Sequence, residues 1–474
     1  MTRLRSTALL LALAALPASA QTTLTPQQRL GRDVYRELVE INTVDSVGSV
    51  TKAAEAMAAR FRAAGFPAED VRLVGPSDKP TKTNLVVRLH GRGGAAAQQA
   101  VLLVAHLDVV AANRADWPRD PFTLREENGY FLGRGTSDDK AMAAIFVTTL
   151  LRMKQEGVRS DRDLILALTA DEEGGDANGV EYLVKHHRAL IDAAYAINEG
   201  GGGTLDAEKP SFHTVQAAEK VYLDFALTAT NTGGHSSVPR PDNAIYQLGD
   251  ALKRISQFSF PVALNPVTRP FFAQTALVES RPEMAAAMRA IVADPTDAAA
   301  AATLSRDARY ASMLRTTCVA TRLAGGHANN ALPQRATANV NCRIVPTSSR
   351  DEVVSTLKRV IADTAVIVTD AIPLVEKFGA IASPVEPSLL AAVTSLTKRM
   401  WGDIPVIPTM STGATDGRIL RAAGIPTYGV SGIFSLPGEN NAHGRDEKLR
   451  VKSFYEGLSF LDQLVRWVAL SPRS

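Results

Sequence analysis

The chain has 474 residues, of which 45% are hydrophobic, 21% charged and 6% aromatic. That length suits two or three domains, and the composition is that of a globular protein rather than a disordered, collagen-like or multispan membrane chain. Lys and Arg number 52 against 49 for Asp and Glu, an excess too small for a dedicated nucleic-acid binder. With only two cysteines, a disulfide scaffold and a thiolate-built structural zinc site are excluded, so any metal site must use His, Asp and Glu.

Residues 1–20 carry Arg3 and Arg5, an apolar run over 8–16, and Ala18-Ser19-Ala20. This is the pattern of a secretory signal peptide cleaved after Ala20. The run is too short to span a bilayer, and no later segment reaches about 18 uncharged apolar residues. The expected product is therefore periplasmic or secreted and free of the membrane once the leader is removed.

The mature chain opens on a helix capped by Thr25, with Pro26 in its first turn and Gln28 completing a capping box. A second helix is predicted over 51–65. Apolar runs at 101–107, 164–169 and 193–198 then alternate with helical stretches, which predicts an α/β domain with a mostly parallel sheet and helices on both faces. Near residue 217 the texture changes to alternation with period two (221–228), a helix near 242, and an Ala-rich helical insertion over 282–312. A hairpin (316–323 and 336–344), a helix (350–362) and a strand (365–369) follow. This β-α-β-β-α-β order predicts an inserted α+β, ferredoxin-like lid. The expected organisation is a signal peptide at 1–20, a catalytic domain from 21–216 and 373–474, and a lid at 217–372. Cys318 and Cys342 fall roughly opposite each other in the hairpin. They form either a cross-strand bridge, which an oxidising compartment permits, or two buried thiols.

Each apolar run of the first domain ends in an acid or a histidine: His106 and Asp108, then Asp171, Glu172 and Glu173, then Glu199. Ligands of open α/β sheets bind beyond the carboxyl ends of the strands, so these groups are expected around one crevice. Asp138 and Asp139 join them from the glycine-rich turn Gly133-Arg134-Gly135-Thr136-Ser137. One such acidic pair would be read as solvated loop charge. Four clusters at strand ends need a compensating cation, and with His106 and oxygen ligands available a divalent zinc-like metal is the simplest one.

His106-Leu107-Asp108, the segment 133–140, Asp171-Glu172-Glu173-Gly174 and Gly234-His235-Ser236 resemble, in content and order, the co-catalytic zinc peptidases and amidohydrolases. That family includes carboxypeptidase G, aminoacylase, carnosinase and succinyl-diaminopimelate desuccinylase. The resemblance spans about 90–448, and Trp117-Pro118-Arg119-Asp120-Pro121-Phe122 is most like the aminoacylase and vacuolar carboxypeptidase branch. It implies two zinc ions, replaceable by manganese or cobalt. His106, Asp138 and Glu199 would hold one ion and Asp138, Glu173 and His443 the other, with a cis peptide after the bridging Asp138. Asp108 would orient His106, Glu172 would act as general base on the bridging water, and His235 would stabilise the oxyanion, often across a subunit boundary.

Candidates for a substrate carboxylate are Asn330, Arg343 and a backbone donor at Gly413. Relatives commonly carry a second glycine where Ala414 stands. Arg343 offers a bidentate fork for a carboxylate, or alternatively a structural ion pair. The expected substrates are dipeptides, C-terminal residues or N-acyl amino acids. Relatives also dimerise through the lid, a surface that the 282–312 insertion would be placed to cover. Serine hydrolysis is disfavoured by the lack of a G-x-S-x-G elbow. The competing reading is a non-catalytic binding or dimerisation protein on the same fold.

Overall fold

The structure, a computed structural model, describes residues 23–92, 100–371, 382–384 and 386–470. The signal segment and the return from lid to catalytic domain near 373 lie outside those residues. A ten-stranded sheet dominates the larger unit. At its centre Leu164–Thr169, Val101–His106, Tyr195–Asn198 and Thr427–Gly429 run parallel side by side. Asn84–Leu89 continues the sheet antiparallel on one side, and Lys209–Glu219 and Gly202–Asp206 complete the other.

The central strands are buried along their whole length and mostly apolar because both faces are covered. Leu103, Ala105, Leu166 and Leu168 face one core, packed by helices Pro26–Glu40, Val50–Ala63, Lys140–Gln155 and Val451–Leu470. Their neighbours Leu102, Val104, Ile165 and Ala167 face the other, against Val180, Leu183 and Leu420. Helix Lys140–Gln155 is buried on nearly all sides, as a helix apolar all round must be. Tyr35, Phe131 and Phe454 lock the outer helices together, with Tyr35 stacked on Phe454 at 4.6 Å. Thr25 and Gln28 form the expected capping box. The second helix starts at Val50, one residue earlier than expected, because Ser49 caps it. The apolar run 427–433 is not one strand: it breaks after Gly429 and turns through Gly432 at φ 66°, where a Cβ would collide with Phe460.

The inserted unit is a four-stranded antiparallel sheet in the order Thr317–Gly325, Arg335–Ile344, Val221–Thr230, Val366–Asp370. Helices Ala244–Gln257 and Arg350–Ile361 cover one face around Phe225, Leu227 and Val340. The other face is open, and Tyr222, Val319 and Ile367 are exposed. The helical insertion does not cover that face. Its four helices, from Thr268–Thr275 to Ala308–Leu314, build their core on Phe212 and Ile407 of the large sheet.

Cys318 and Cys342 are direct cross-strand partners and form a disulfide, with Cα atoms 4.1 Å apart. A bridge closing a loop of this size contributes about 3 kcal/mol by restricting the unfolded chain. Urea unfolding of the C318S/C342S double variant should show a loss of that order, and an unchanged curve would contradict it.

Candidate functional site

Three neighbouring parallel strands deliver their terminal residues to one edge. His106 is in register with Thr169, so His106 and the following Asp171-Glu172-Glu173 turn leave the sheet side by side. Glu199 follows Asn198 on the next strand. The glycine-rich turn carries Asp138 in front of helix Lys140–Gln155, and the Asp138–Asp139 peptide bond is cis. His443 enters from the loop before Lys448–Arg450, at φ 64°.

Asp138 lies between the two histidines. Its Oδ1 is 3.0 Å from His106 Nε2, and its Oδ2 is 3.2 Å from His443 Nε2. Glu199 flanks His106 at 3.7 Å, and Glu173 flanks His443 at 2.9 Å. The five expected ligands are thus brought together, with one Asp138 oxygen toward each half. Two overlapping donor groups, His106 with Asp138 and Glu173 and His106 with Asp139 and Glu199, keep their ligand atoms within 4.8 Å of one another. Imidazole nitrogens and carboxylate oxygens in such groups fit zinc, manganese or cobalt.

Asp108 does two jobs. Its backbone carbonyl takes His106 Nδ1 at 3.0 Å, and its carboxylate accepts the N–H groups of Glu172 and Glu173 at 3.1 and 2.9 Å. Orientation of the imidazole therefore comes from the main chain, while the side chain shapes the glutamate turn. Asp171, strained at φ 54°, is pinned beneath that turn by an ion pair with buried Lys82.

The electrostatics are those of a site short of positive charge. Burial and the neighbouring carboxylates Glu199, Asp416 and Glu173 push Glu172 up to about 10, although His106 opposes them. Burial, then Asp138, raises Glu173 to about 7. Burial disfavours charge on His106, but hydrogen bonds to Asp138 and Glu199 outweigh it and hold its pKa well above the usual range. The Asp138 hydrogen bond leads the forces that lift His443 to about 9.

Sequence reasoning passed over two acids here. Asp139, expected around the crevice beside Asp138 but not among the ligands, belongs to one donor group and is buried. Asp416 is also buried, holding Thr169 Oγ1 and Asn178 Nδ2 at 3.0 and 2.8 Å. Its position in Thr415-Asp416-Gly417, after another strand of the same sheet, was the available signal.

The substrate candidates are not gathered at the ligand cluster. His235 is exposed in the lid, where its Nδ1 accepts the Ser237 hydroxyl at 2.7 Å, and among the described residues it has no bond to the ligands. Asn330 sits beside it, its carbonyl accepting the Ser236 N–H. The Arg343 guanidinium lies 4.6 Å over the Tyr222 ring and is attracted by the Asp224 carboxylate on the paired strand, although among the described residues no carboxylate pairs with it directly. The Gly413 N–H is donated to Ser411 Oγ at 3.1 Å. A cavity of about 240 Å³ opens beside Asp138 and Glu199, with Met142, Ile433 and Leu449 as its apolar wall.

Residues 102–467 match the sequence model of Peptidase family M20/M25/M40. The human N-fatty-acyl-amino acid synthase/hydrolase PM20D1 is 28% identical, over 79% of this chain and 75% of its own. A probable carboxypeptidase S-like 2 of Dictyostelium discoideum is 26% identical over 77% and 71%. In fold, an M20 family metallo-carboxypeptidase from Sulfolobus solfataricus superposes with a TM-score of 0.67 at 17% identity, covering 93% of this chain and 99% of that one.

Metal ligands must be deprotonated, so ions entering this site must displace protons from the two histidines. Apparent affinity for zinc should rise with pH until His443 is neutral, near 9. Calorimetry in buffers of different ionisation enthalpy should record net proton release at pH 7, and a heat independent of buffer would contradict this.

Proposed function

The chain belongs to peptidase family M20/M25/M40, and on that premise we propose that it is an exported two-metal hydrolase of small amides whose product carries a free carboxylate. Dipeptides, C-terminal residues and N-acyl amino acids are the substrate classes. The observation that carries this reading is the Asp138 carboxylate, divided between His106 and His443 with Glu199 and Glu173 alongside. His106, Asp138 and Glu199 would hold one zinc ion and Asp138, Glu173 and His443 the other. A divalent ion so held polarises a carbonyl and brings the pKa of water toward neutrality.

The chain's own part is proton handling and orientation. Glu172 carries no ligand duty; on the turn beside Glu173 it would be free to take a proton from the attacking water and return it to the leaving nitrogen. Glu173, tied to His443, stays with the metal. The apolar wall of Met142, Ile433 and Leu449 supports an uncharged side chain or acyl group on the scissile side. Arg343, in no direct ion pair among the described residues, would grip the substrate carboxylate through its fork, joined by Asn330. His235 would stabilise the oxyanion. These lid residues reach the cleft by closure of the lid or from a second copy docked on the open lid face. The disulfide supports export, since such bridges persist in oxidising compartments.

Chelation should abolish hydrolysis of dipeptides or N-acyl amino acids, and zinc or cobalt should restore it; turnover that persists in chelator would refute the proposal. E172Q should lower kcat by at least about 10³-fold while metal content stays at wild type. R343A should raise KM for substrates with a free carboxylate and leave their amidated analogues unaffected. Export is checked by N-terminal sequencing of the secreted product, expected to begin at Gln21.

A further inference from the structure

Arg134 and Glu447 are 2% and 1% exposed, and they form an ion pair of 2.7 Å. Burying two charges is expensive, and an apolar pair of similar volume often stabilises a fold as well. What an apolar pair cannot do is join two loops through directed bonds.

The two residues are exchanged between the loops. Glu447 belongs by sequence to the His443 loop, yet its carboxylate serves the Asp138 loop. Oε1 accepts the N–H groups of Ser137 and Asp138 at 2.7 and 3.1 Å, and Oε2 accepts Gly135 N–H at 3.0 Å in addition to Arg134. Arg134 belongs to the Asp138 loop, yet its Nη2 donates to the carbonyls of Gly444 and His443 at 3.0 and 3.4 Å. The same nitrogen reaches Ala111 O at 3.4 Å, beyond the strand that ends in His106. The ring of Trp117 lies against the guanidinium at 5.2 Å. Asn440 Nδ2 to Ser137 Oγ, at 2.8 Å, is a further tie between the loops.

We propose that Arg134 and Glu447 are positioning residues that set the spacing between Asp138 and His443, and that Arg134 specifically holds the His443 half of the metal site. The inference rests on the two-metal reading. His106 is seated at a strand end and fixed by the Asp108 carbonyl, independently of Arg134. His443 is exposed, on a loop with three non-glycine residues at positive φ, Asn441, His443 and Asp446, and its own carbonyl is one of Arg134's acceptors.

The test is equilibrium cobalt binding to the full chain, read by absorption and by competition with a chromophoric chelator. Wild type should bind two ions. In R134Q one ion should be weakened about 10- to 100-fold, the range for groups supporting metal ligands, while the other stays within about twofold. R134K keeps the charge opposite Glu447 but replaces the fork with one nitrogen; it should show the same selective loss and serves if R134Q does not fold. R134Q/H443A should bind its remaining ion as tightly as H443A alone. Two ions at wild-type affinity in both Arg134 variants, or equal weakening of both ions with a lowered apo thermal midpoint, would overturn the inference. A wild type that binds fewer than two ions would instead overturn the two-metal reading, and this inference with it.

Discussion

Carboxylates gathered at one edge of a buried parallel sheet repel one another, and the surrounding structure works against that repulsion. The strands cannot spread, because both faces are packed, so the charges at their ends are held closer than water would allow. The chain alone relieves the strain with protons: Glu172 and Glu173 are raised, and both ligand histidines are held charged. Each of those protons marks charge that a divalent ion could carry instead. Folding thus brings the candidate ligands together, since the sheet has already met the cost of assembling them.

A second layer of groups keeps the assembly rigid. Asp108 turns its carboxylate to the backbone of the glutamates, Lys82 braces Asp171 below them, and the Arg134–Glu447 pair joins the two loops that belong to no strand of the large sheet. The arrangement separates tasks. Strand ends fix His106 and Glu199 through the main chain, whereas His443 relies on side chains that cross between loops.

The ligand set was legible because each member follows a strand or turn with a strong local pattern. Runs such as 101–107 and 164–169 announce buried strands, and an acid or histidine just beyond such a run has few other places to go. The lid was readable for a similar reason, its period-two alternation at 221–228 differing sharply from the continuous apolar runs before it. Glu447 was not legible, because its partners are backbone N–H groups more than 300 residues away, which leave no mark on the local sequence. Asp139 was hidden by its neighbour, as two adjacent acids look alike until the backbone turns them apart. The disulfide stood as one of two alternatives, and only register decided between them.

The docking of the helical insertion on Phe212 and Ile407 bears on how the lid is suspended. The chain leaves the large unit at Glu219, returns from the lid after helix Ala244–Gln257 to build the insertion, and re-enters the lid at Thr317. It comes back once more beyond Ala371, reaching the large sheet where the Ser383 N–H meets the Ala217 carbonyl. Ala263 and Leu314, on the two middle crossings, are themselves hydrogen-bonded. Three of these crossings, at 219–221, 257–263 and 314–317, lie among the described residues, so the lid unit is tied to the large unit at several separate points. Such a suspension narrows the orientations that the lid unit can take against the large one, leaving less rotational freedom between them.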